Sequence, residues 1–469
     1  MVQEIGLIGL GRIGRNLASN LIKHGVLVQA WDKSSETCNE VRALLPNLNL
    51  NNDIQNLIRS LHHPRCVMLV VPDGDAVDQC INKLSKLLEE GDIIIDSGNS
   101  HFRDTEVREK LLLTKGIHFL GIGISGGPQG ARCGPSFMVG GQLQAWQIIR
   151  PLLESISAQA NNTPCAGYVG KGGAGHFIKI VHNGIEYAIM QILADVFELL
   201  SKGCDATTDE ITKIFQEINK GVTAGFLVEA AAQITNSKIK NSKKFLIDSV
   251  DDRAEQKGTG NWAVELAFEM GVSVPTISAA VQFRTLSSQH PPIKKTINIP
   301  MNEGSIPVLP IEDIISLLSP GITCAFLSAY AQGFSLIGAA KNRFGTIIDN
   351  RHVAQIWGGG CILRSELINL IAKSQDLKID TPNILQADNI QPLVLGGIAP
   401  LRELIKASLS ADIPVPGLYS AAAYIDSLNQ LKLSTRFIQL QRDYFGSHGF
   451  FNEGQKTIRH GPWKKDNGL

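Results

Sequence analysis

The first part of the chain alternates short apolar runs with amphipathic stretches. Five of the runs are strand-like and read EIGLIGL, VLVQAWD, CVMLVVP, DIIIDSG and HFLGIGISGG. The stretches between them repeat apolar residues with the period of a helix, which gives a β-α-β order. This order predicts an α/β domain of the Rossmann type over residues 1–175, with a parallel, doubly wound sheet. A ligand of such a sheet lies across the carboxyl ends of its strands.

From about Gly175 onward the apolar positions follow the helical period, which predicts a large all-helical domain over residues 176–434. GIEYAIMQILADVFELL at 184 is echoed by GITCAFLSAYAQGFSLI at 321, and VPTISAA at 274 is echoed by VPGLYSAA at 415. Both echoes recur after roughly 140 residues, so an internal duplication is predicted.

Residues 314–340 carry no charge and are long enough to raise the alternative of a membrane span. Pro320, Gly321 and several polar residues interrupt their apolar character, and we predict a buried core helix instead. After Arg442 the composition becomes polar and irregular, which predicts a tail over residues 435–469 that builds no core of its own. The aromatic segment RDYFGSHGFF favours ordering of this tail by docking onto another surface.

Charge and cysteine usage narrow the functional classes. The 44 basic and 44 acidic residues balance, so there is no global attraction to nucleic acid or to acidic membranes. The eight cysteines are scattered singly, and this pattern predicts neither a metal site nor a disulfide framework. The N-terminal residues lack the features of a secretory signal, so we expect a cytoplasmic protein.

The segment GLIGLGRIG places Gly9, Gly11 and Gly14 as G-x-G-x-x-G between a predicted strand and a predicted helix. Backbone amides at the start of that helix would bind the pyrophosphate of a dinucleotide. The residues predicted to line the rest of the cofactor site are Leu10, Arg12, Ile13, Val71 and Asn99.

Asp32 closes the second predicted strand, where a carboxylate accepts hydrogen bonds from ribose hydroxyls and repels a 2′-phosphate. It therefore favours NAD over NADP. Lys33 and Ser34 follow at once and would suit a phosphate, so NADP stays open as the alternative.

On a helix, Lys179, His182, Asn183, Glu186 and Tyr187 fall on one face. This stripe presents an amine, an imidazole and a carboxyl group together, which is the equipment of general acid–base catalysis. A solvated helix face would look similar if it stood alone. Other candidate polar groups follow predicted strands or precede predicted helices: Asn99, Ser125, Gly126, Gly127, Lys257, Thr259 and Arg284.

Several of these segments, together with QRDYFGSH near the C-terminus, make the chain resemble the 6-phosphogluconate dehydrogenases. The segments are GAGHFIKIVHNGIEY, ISGGPQGARCGPS, DSGNS and EQKGTGNW. The resemblance implies metal-free oxidation of 6-phosphogluconate at C3, decarboxylation and release of ribulose 5-phosphate. It also implies that Lys179 is the base that takes the C3 hydroxyl proton and that Glu186 is the acid that protonates C1 of the enediol.

The resemblance further assigns the substrate contacts. It implies that its carboxylate and hydroxyls are bound by Asn99, Ser125, Gly126, Gly127, His182 and Asn183, and its phosphate by Tyr187, Lys257, Thr259 and Arg284. Arg442 and His448 match tail residues that family members lend to the other subunit, which implies a homodimer.

The chain also departs from the family pattern. Many members carry Asn-Arg-Thr where Asp32, Lys33 and Ser34 stand, and Lys-Ala-Gly where VVPDG stands, which puts the usual NADP preference in doubt. Asn261 replaces a common lysine. Three alternatives stay open: a shorter 3-hydroxyisobutyrate-type dehydrogenase, an enzyme for another phosphorylated aldonate, and a catalytically silent NAD-binding regulator. The pathway, pentose phosphate or gluconate utilisation, is equally open.

Overall fold

The computed structural model describes residues 3–255, 258–289, 310–345, 348–374 and 383–463. By its internal contacts the chain divides into two units, residues 1–421 and residues 422–469. The domain limits at residues 175 and 434 that the sequence suggested remain a prediction.

The first unit begins with an eight-stranded sheet, ordered β10-β7-β6-β5-β4-β1-β2-β3. Two further strands pair as a small antiparallel ribbon, β8 with β9. The strands are β1 (Glu4–Ile8), β2 (Leu27–Trp31), β3 (Asn49–Leu50), β4 (Cys66–Leu69), β5 (Ile93–Asp96), β6 (His118–Ser125), β7 (Ser136–Gly141), β8 (Gln159–Ala160), β9 (Thr163–Pro164) and β10 (Ala166–Gly170).

The five strands predicted from the apolar runs pair in parallel, as expected, whereas β7 pairs antiparallel with β6. Only residues 126–135 connect these two strands. A parallel crossover needs a dozen or more residues, so this connection is too short and the chain turns back beside β6. The other ladders of the sheet, including that of β10 with β7, are parallel.

Helices cover both faces of the sheet, as a doubly wound fold requires. In β5 the side chains of Ile93 and Ile95 enter one apolar cluster, with Leu17 of the helix after β1. Ile94 points to the opposite cluster, with Leu57. Because successive side chains of a strand alternate between faces, the uninterrupted apolar run of β5 signals burial on both sides.

Helices make up most of the remaining structure, and two of them are long: α8 has 25 residues and α13 has 29. The helices are α1 (Arg12–Lys23), α2 (Ser35–Leu44), α3 (Ile54–Arg59), α4 (Asp75–Leu84), α5 (Phe102–Leu113), α6 (Gly127–Cys133), α7 (Leu143–Ile156), α8 (Ala174–Glu198), α9 (Thr208–Ile218), α10 (Phe226–Asn236), α11 (Thr259–Glu269), α12 (Pro275–Ser288), α13 (Ile311–Ala339), α14 (Lys341–Phe344), α15 (Asn350–Trp357), α16 (Glu366–Lys373), α17 (Gln391–Ser410), α18 (Pro416–Leu428) and α19 (Thr435–Gly446).

Helix α13 contains the uncharged segment noted in the sequence. Within the described residues it is the helix long and apolar enough to cross a bilayer, and 72% of its most apolar window is buried inside the protein. A collision would follow if a Cβ were added at Gly397 of α17, because the carbonyl oxygen of Pro320 in α13 occupies that space. This close helix–helix packing agrees with the predicted core helix.

A backbone bridge joins the segments that precede α10 and α16, and the internal duplication stays a prediction. The Phe226 N–H donates to the carbonyl oxygen of Arg364 at 3.0 Å, and the Glu366 N–H donates to that of Ala224 at 2.8 Å. These reciprocal bonds close an isolated antiparallel bridge between Gly225 and Ser365. The two bridged residues directly precede α10 and α16.

The second unit contains α19 and a short antiparallel hairpin of β11 (Phe450–Phe451) and β12 (Ile458–Arg459). The segment predicted as an irregular tail thus contains regular structure, and a polar residue lies at its centre. Buried Asp443 accepts hydrogen bonds from the Gly449 N–H at 2.8 Å, the Gly461 N–H at 2.8 Å and the Trp463 Nε1–H at 3.1 Å. The Gly461 N–H above all, then the His460 side chain and the Gly449 N–H, hold the pKa of Asp443 down at about 2. A buried carboxylate thus organises a segment that has few apolar residues to bury.

Candidate active site

A cavity of about 730 Å³ lies at the carboxyl ends of β1, β4, β5 and β6, between the sheet and helices α8 and α11. Of the residues singled out in the sequence, the structure brings the following to its wall: Gly11, Arg12, Ile13, Gly14, Val71, Asn99, Ser125, Gly126, Gly127, Lys179, Asn183, Glu186, Tyr187 and Thr259. Lys257 lies outside the described residues.

The glycine loop fits a dinucleotide. Gly9 has a φ of +99°, and a Cβ there would collide with the carbonyl oxygen of Val70. A Cβ on Gly14 would collide with the carbonyl oxygen of Gly9, whereas one on Gly11 would meet nothing within 4 Å. No side chain caps α1, and its first turn carries no acidic residue. Its first amides and the positive end of its dipole are therefore open to a pyrophosphate.

Asp32 is fixed at the end of β2 by two backbone donors. One carboxylate oxygen accepts from the Leu10 N–H at 2.7 Å, and the other accepts from the Ser34 N–H at 2.8 Å. The Ser34 hydroxyl accepts from the Thr37 N–H at 3.1 Å and so caps α2. The Asp32 carboxylate is thereby held beside the glycine loop, and the Ser34 hydroxyl is engaged in capping α2.

Helix α8 approaches the sheet closely because glycines leave room for it. A Cβ on Gly123 of β6 would lie 2.5 Å from the Cβ of Lys179, and one on Gly121 would lie 2.9 Å from the Nδ1 of His176. At Gly175, the second residue of α8, a Cβ would collide with the carbonyl oxygen of Gly121. The close approach buries Lys179, which is 8% exposed, against the sheet.

The polar face of α8 forms one connected cluster. The Lys179 Nζ lies 3.3 Å from the His182 Nδ1, which in turn lies 3.2 Å from the Asn183 Oδ1 and 3.6 Å from a Glu186 carboxyl oxygen. Tyr187, the remaining member of the predicted stripe, lines the same cavity. The stripe is therefore not a solvated helix face.

A second set of contacts holds His182 from its other side. The His182 Nε2 lies 2.9 Å from the Ser125 Oγ and 3.0 Å from the Cys361 Sγ. The Ile362 N–H donates to the Ser125 Oγ at 3.2 Å. Sequence reasoning missed Cys361 and Ile362, although the run of three glycines at 358–360 signals a close backbone approach. It also missed Trp262, which lines the cavity and packs edge-on against His101.

Burial sets the ionisation of the cluster. Burial lowers the pKa of Lys179, although the nearby Glu186 acts to raise it. Burial also lowers the pKa of His182 well below the usual range, and the charge of Lys179 lowers it further. Burial raises the pKa of Glu186, against the effects of Lys179 and then of Arg284. The Glu186 side chain keeps 23% exposure, at the cavity wall. Each shift favours the uncharged form, so the site favours an amine, a neutral imidazole and a protonated carboxyl group.

One end of the cavity is suited to an anion. Thr259 begins α11 directly after Gly258, which has a φ of +86°. The guanidinium of Arg284 lies 3.6 Å from the ring centroid of Tyr187 and contacts the Met190 sulfur at 3.3 Å. A hydroxyl, a helix N-terminus and a cation thus converge beside Tyr187.

The two predicted tail residues belong to the second unit. Arg442 is exposed and donates to the Gln439 side chain at 3.0 Å, while His448 packs edge-on against Phe445. In the described part of the chain, no group of three or more His, Cys, Asp or Glu side chains is placed to hold a metal ion.

The chain matches known protein families and individual proteins over most of its length. Residues 4–170 match the family described as the NAD binding domain of 6-phosphogluconate dehydrogenase, and residues 175–463 match the 6-phosphogluconate dehydrogenase C-terminal domain. A protein of Bacillus subtilis (strain 168), named 6-phosphogluconate dehydrogenase, NADP(+)-dependent, decarboxylating, is 36% identical over 99% of each chain. A Candida albicans 6-phosphogluconate dehydrogenase, decarboxylating, is 36% identical over 95% of this chain and 88% of its own.

A solved structure agrees with these matches. Plasmodium falciparum 6-phosphogluconate dehydrogenase superposes with a TM-score of 0.91 and 30% identity, over 98% of this chain and 100% of its own. The full-length matches favour this family over the shorter dehydrogenases considered from the sequence. The chain belongs to the 6-phosphogluconate dehydrogenase family.

Proposed function

We propose that the protein oxidatively decarboxylates 6-phospho-D-gluconate to D-ribulose 5-phosphate and CO2, with hydride transfer to NAD or NADP. The observation that carries this proposal is the buried side chain of Lys179, whose Nζ lies beside the His182 imidazole. That imidazole lies in turn beside the Glu186 carboxyl group at the cavity wall. The relatives and the solved neighbour, which carry this activity in their names, support the substrate.

Lys179 acts first, as the general base. Its amine form has a lone pair that takes the proton of the C3 hydroxyl, and the lowered pKa keeps that form available. The nicotinamide of the bound cofactor supplies the acceptor for the C3 hydride. The resulting ammonium group then donates to the C3 ketone oxygen, which stabilises the negative charge that develops there as CO2 leaves.

Glu186 acts second, as the general acid. Its raised pKa keeps a proton on the carboxyl group, and this proton is delivered to C1 of the enediol left by decarboxylation. A base, Lys179, and an acid, Glu186, are thereby available on the same face of α8. Neither step requires a metal ion.

The substrate is held at both ends. We assign its carboxylate and hydroxyls to the loop and helix groups at the cofactor side, namely Asn99, Ser125, Gly126, Gly127, His182 and Asn183. Its phosphate is assigned to the anion-suited end, namely Tyr187, Lys257, Thr259 and Arg284. The convergence of Thr259, Arg284 and Tyr187 supports the second assignment for the described residues.

The cofactor is held by the glycine loop, and we propose that NAD is preferred. Asp32 is fixed beside Leu10 and Ser34, where it would accept from ribose hydroxyls and repel a 2′-phosphate. Lys33 is exposed and is the cation available to an NADP phosphate at this strand end. The Bacillus subtilis relative is named for NADP(+), so the preference proposed here would be a departure from it.

We propose further that the protein is a cytoplasmic homodimer in which Arg442 and His448 complete the partner's phosphate site. The second unit exposes large apolar side chains, including Phe437, Tyr444 and Phe445, each at least 65% exposed. Such a surface on a small unit is suited to docking. NADPH supply suits biosynthesis and NADH production suits carbon breakdown, but the pentose phosphate pathway and gluconate utilisation could each use either cofactor.

The test is an initial-rate assay of the full-length protein, following absorbance near 340 nm with 6-phosphogluconate and either NAD or NADP. We expect reduction of the cofactor, CO2 release, and a higher kcat/KM with NAD. The variant Lys179→Met should lose turnover, whereas Lys213→Met, at an exposed position of α9, should not. A higher kcat/KM with NADP would refute the role of Asp32, and no turnover with either cofactor would refute the substrate.

A further inference from the structure

A segment distant in sequence packs behind α8, the catalytic helix that carries Lys179 and Glu186. Residues 358–363, reading GGGCIL, follow α15 and reach the loop after β6. A Cβ on Gly126 would collide with the carbonyl oxygen of Gly360, and a Cβ on Gly360, whose φ is +59°, would collide with that of Gly134. Two backbones therefore pack against each other directly, and this contact fixes the position of Cys361.

Backbone donors occupy both polar side chains that face the His182 Nε2. The Leu363 N–H donates to the Cys361 Sγ at 3.4 Å, and the Ile362 N–H donates to the Ser125 Oγ at 3.2 Å. Cys361 is fully buried, and burial raises the pKa of its thiol to about 11, so its sulfur keeps a hydrogen. One acceptor site of each side chain is thereby engaged, and Ser125 also bonds to Cys361, so the thiol hydrogen is the one available to point towards the Nε2 lone pair.

This arrangement selects one tautomer of the neutral imidazole. If the Nε2 accepts, the ring proton resides on the Nδ1. The Nδ1–H then faces the Asn183 Oδ1 at 3.2 Å and the Lys179 Nζ at 3.3 Å. An N–H donor aimed at Lys179 favours the amine, which has a lone pair to accept it, and opposes the ammonium, which has only donors.

We propose that Cys361 is a positioning residue, which together with Ser125 places the ring proton of His182 on the Nδ1 and thereby holds Lys179 in its amine form. The inference rests on the proposed function, since it assigns the base role to Lys179. No bond is made or broken at the thiol, which acts through His182 alone.

The other ionisable groups around this cluster lie on three elements. Glu186 shares α8 with Lys179, Arg284 approaches from α12, and Tyr330 of α13 contacts the carbonyl oxygen of Leu363 at 3.3 Å. None of them contacts the Nε2. A variant at Cys361 therefore alters the tautomer without removing a charge from the site.

The kinetic test compares Cys361→Ala with Cys361→Ser. The alanine variant removes one hydrogen donor, and we expect kcat to fall about 3- to 10-fold, KM to change less, and the acid limb of the kcat/KM profile to move to higher pH. The serine variant keeps a donor and should recover most of the wild-type profile. Cys66→Ala is the matched control, because it removes another buried thiol, on β4 of the sheet, that is bonded to the Pro64 carbonyl rather than to the catalytic cluster.

A measurement without substrate separates this inference from the proposed function. Nitrogen NMR of ¹⁵N-histidine-labelled protein, with the His182 signals assigned by their loss in His182→Asn, should show a protonated Nδ1 and an unprotonated Nε2. In Cys361→Ala both signals should move towards the average of the two tautomers. A wild-type proton on the Nε2, an unmoved acid limb in Cys361→Ala, or a serine variant that behaves like alanine would each overturn the inference, whatever the identity of the substrate.

Discussion

Asp195 lies on the catalytic helix α8 and accepts a hydrogen bond from the first turn of α18. It is 1% exposed, and its carboxyl oxygens accept from the Leu418 N–H at 3.0 Å and from the Gln191 side-chain amide at 2.8 Å. Burial raises the pKa of Asp195 to about 7 despite these donors. The native state therefore binds this proton more tightly than the unfolded chain does.

The direction of the pH effect follows from that difference. The ordinary pKa is 3.8, so between about pH 4 and about pH 7 the unfolded chain is ionised at Asp195 while the native state still holds the proton. Stability must then fall as pH rises through this window. The gap between 3.8 and about 7 corresponds to at most about 4 kcal/mol, at roughly 1.36 kcal/mol per pH unit.

Asp195→Asn isolates the effect, because asparagine has the same shape and carries no charge. Its oxygen would accept from the Leu418 N–H, and its amide would meet Gln191 after that side chain turns. We expect the free energy of unfolding of the variant, relative to the wild type, to rise by about 1 to 3 kcal/mol between about pH 5 and about pH 8, because about two pH units of the gap lie in this range. Urea unfolding followed by tryptophan fluorescence measures this difference at each pH.

Asp412→Asn serves as the control, because Asp412 is an exposed carboxylate that lines, together with Asp195, a second cavity outside the active site. Its φ of +55° is one that asparagine also tolerates. This variant should track the wild type at every pH. Parallel pH profiles for Asp195→Asn and the wild type would refute the reasoning, since they would mean that Asp195 does not take up a proton on folding.

Three further outcomes are expected. Glu186→Gln keeps the side-chain shape but removes the acidic proton, so kcat should fall by about 10²- to 10⁴-fold in the absorbance assay, with a smaller change in the substrate dissociation constant. Gly14→Ala would drive a Cβ into the carbonyl oxygen of Gly9, and calorimetric titration should show loss of dinucleotide binding. Gln332→Leu would leave buried partners such as the Thr276 N–H unbonded, and urea unfolding should show a loss of about 2 to 4 kcal/mol.

The sequence predicted the features that depend on local pattern. Apolar runs and their spacing indicated the Rossmann strands, and the helical period placed Lys179 and Glu186 on one face. The direction of β7 was not predicted, because strand patterns do not encode pairing direction. It is the length of the connection from β6 that decides it.

The residues that pack behind the catalytic helix could not be predicted from local sequence pattern. Cys361 lies 179 residues from His182 in the sequence, and only the folded backbone brings the two side chains together. Asp443 was missed for a related reason. A carboxylate that gathers backbone amides has no periodic signature, so the helix and hairpin of the second unit were read as irregular chain.

The bridge between Gly225 and Ser365 has a consequence for how this fold can change. The segment that closes the bridge, residues 364–366, directly follows the segment that supplies Cys361. Helix α8 thus carries the reacting groups, and the segment after α15 carries the surface against which they are aligned. An inserted residue between 360 and 365 would shift both the bridge to Gly225 and that surface, so length variation among relatives should avoid this stretch. A backbone contact between two distant segments is thereby a constraint on the chemistry of α8.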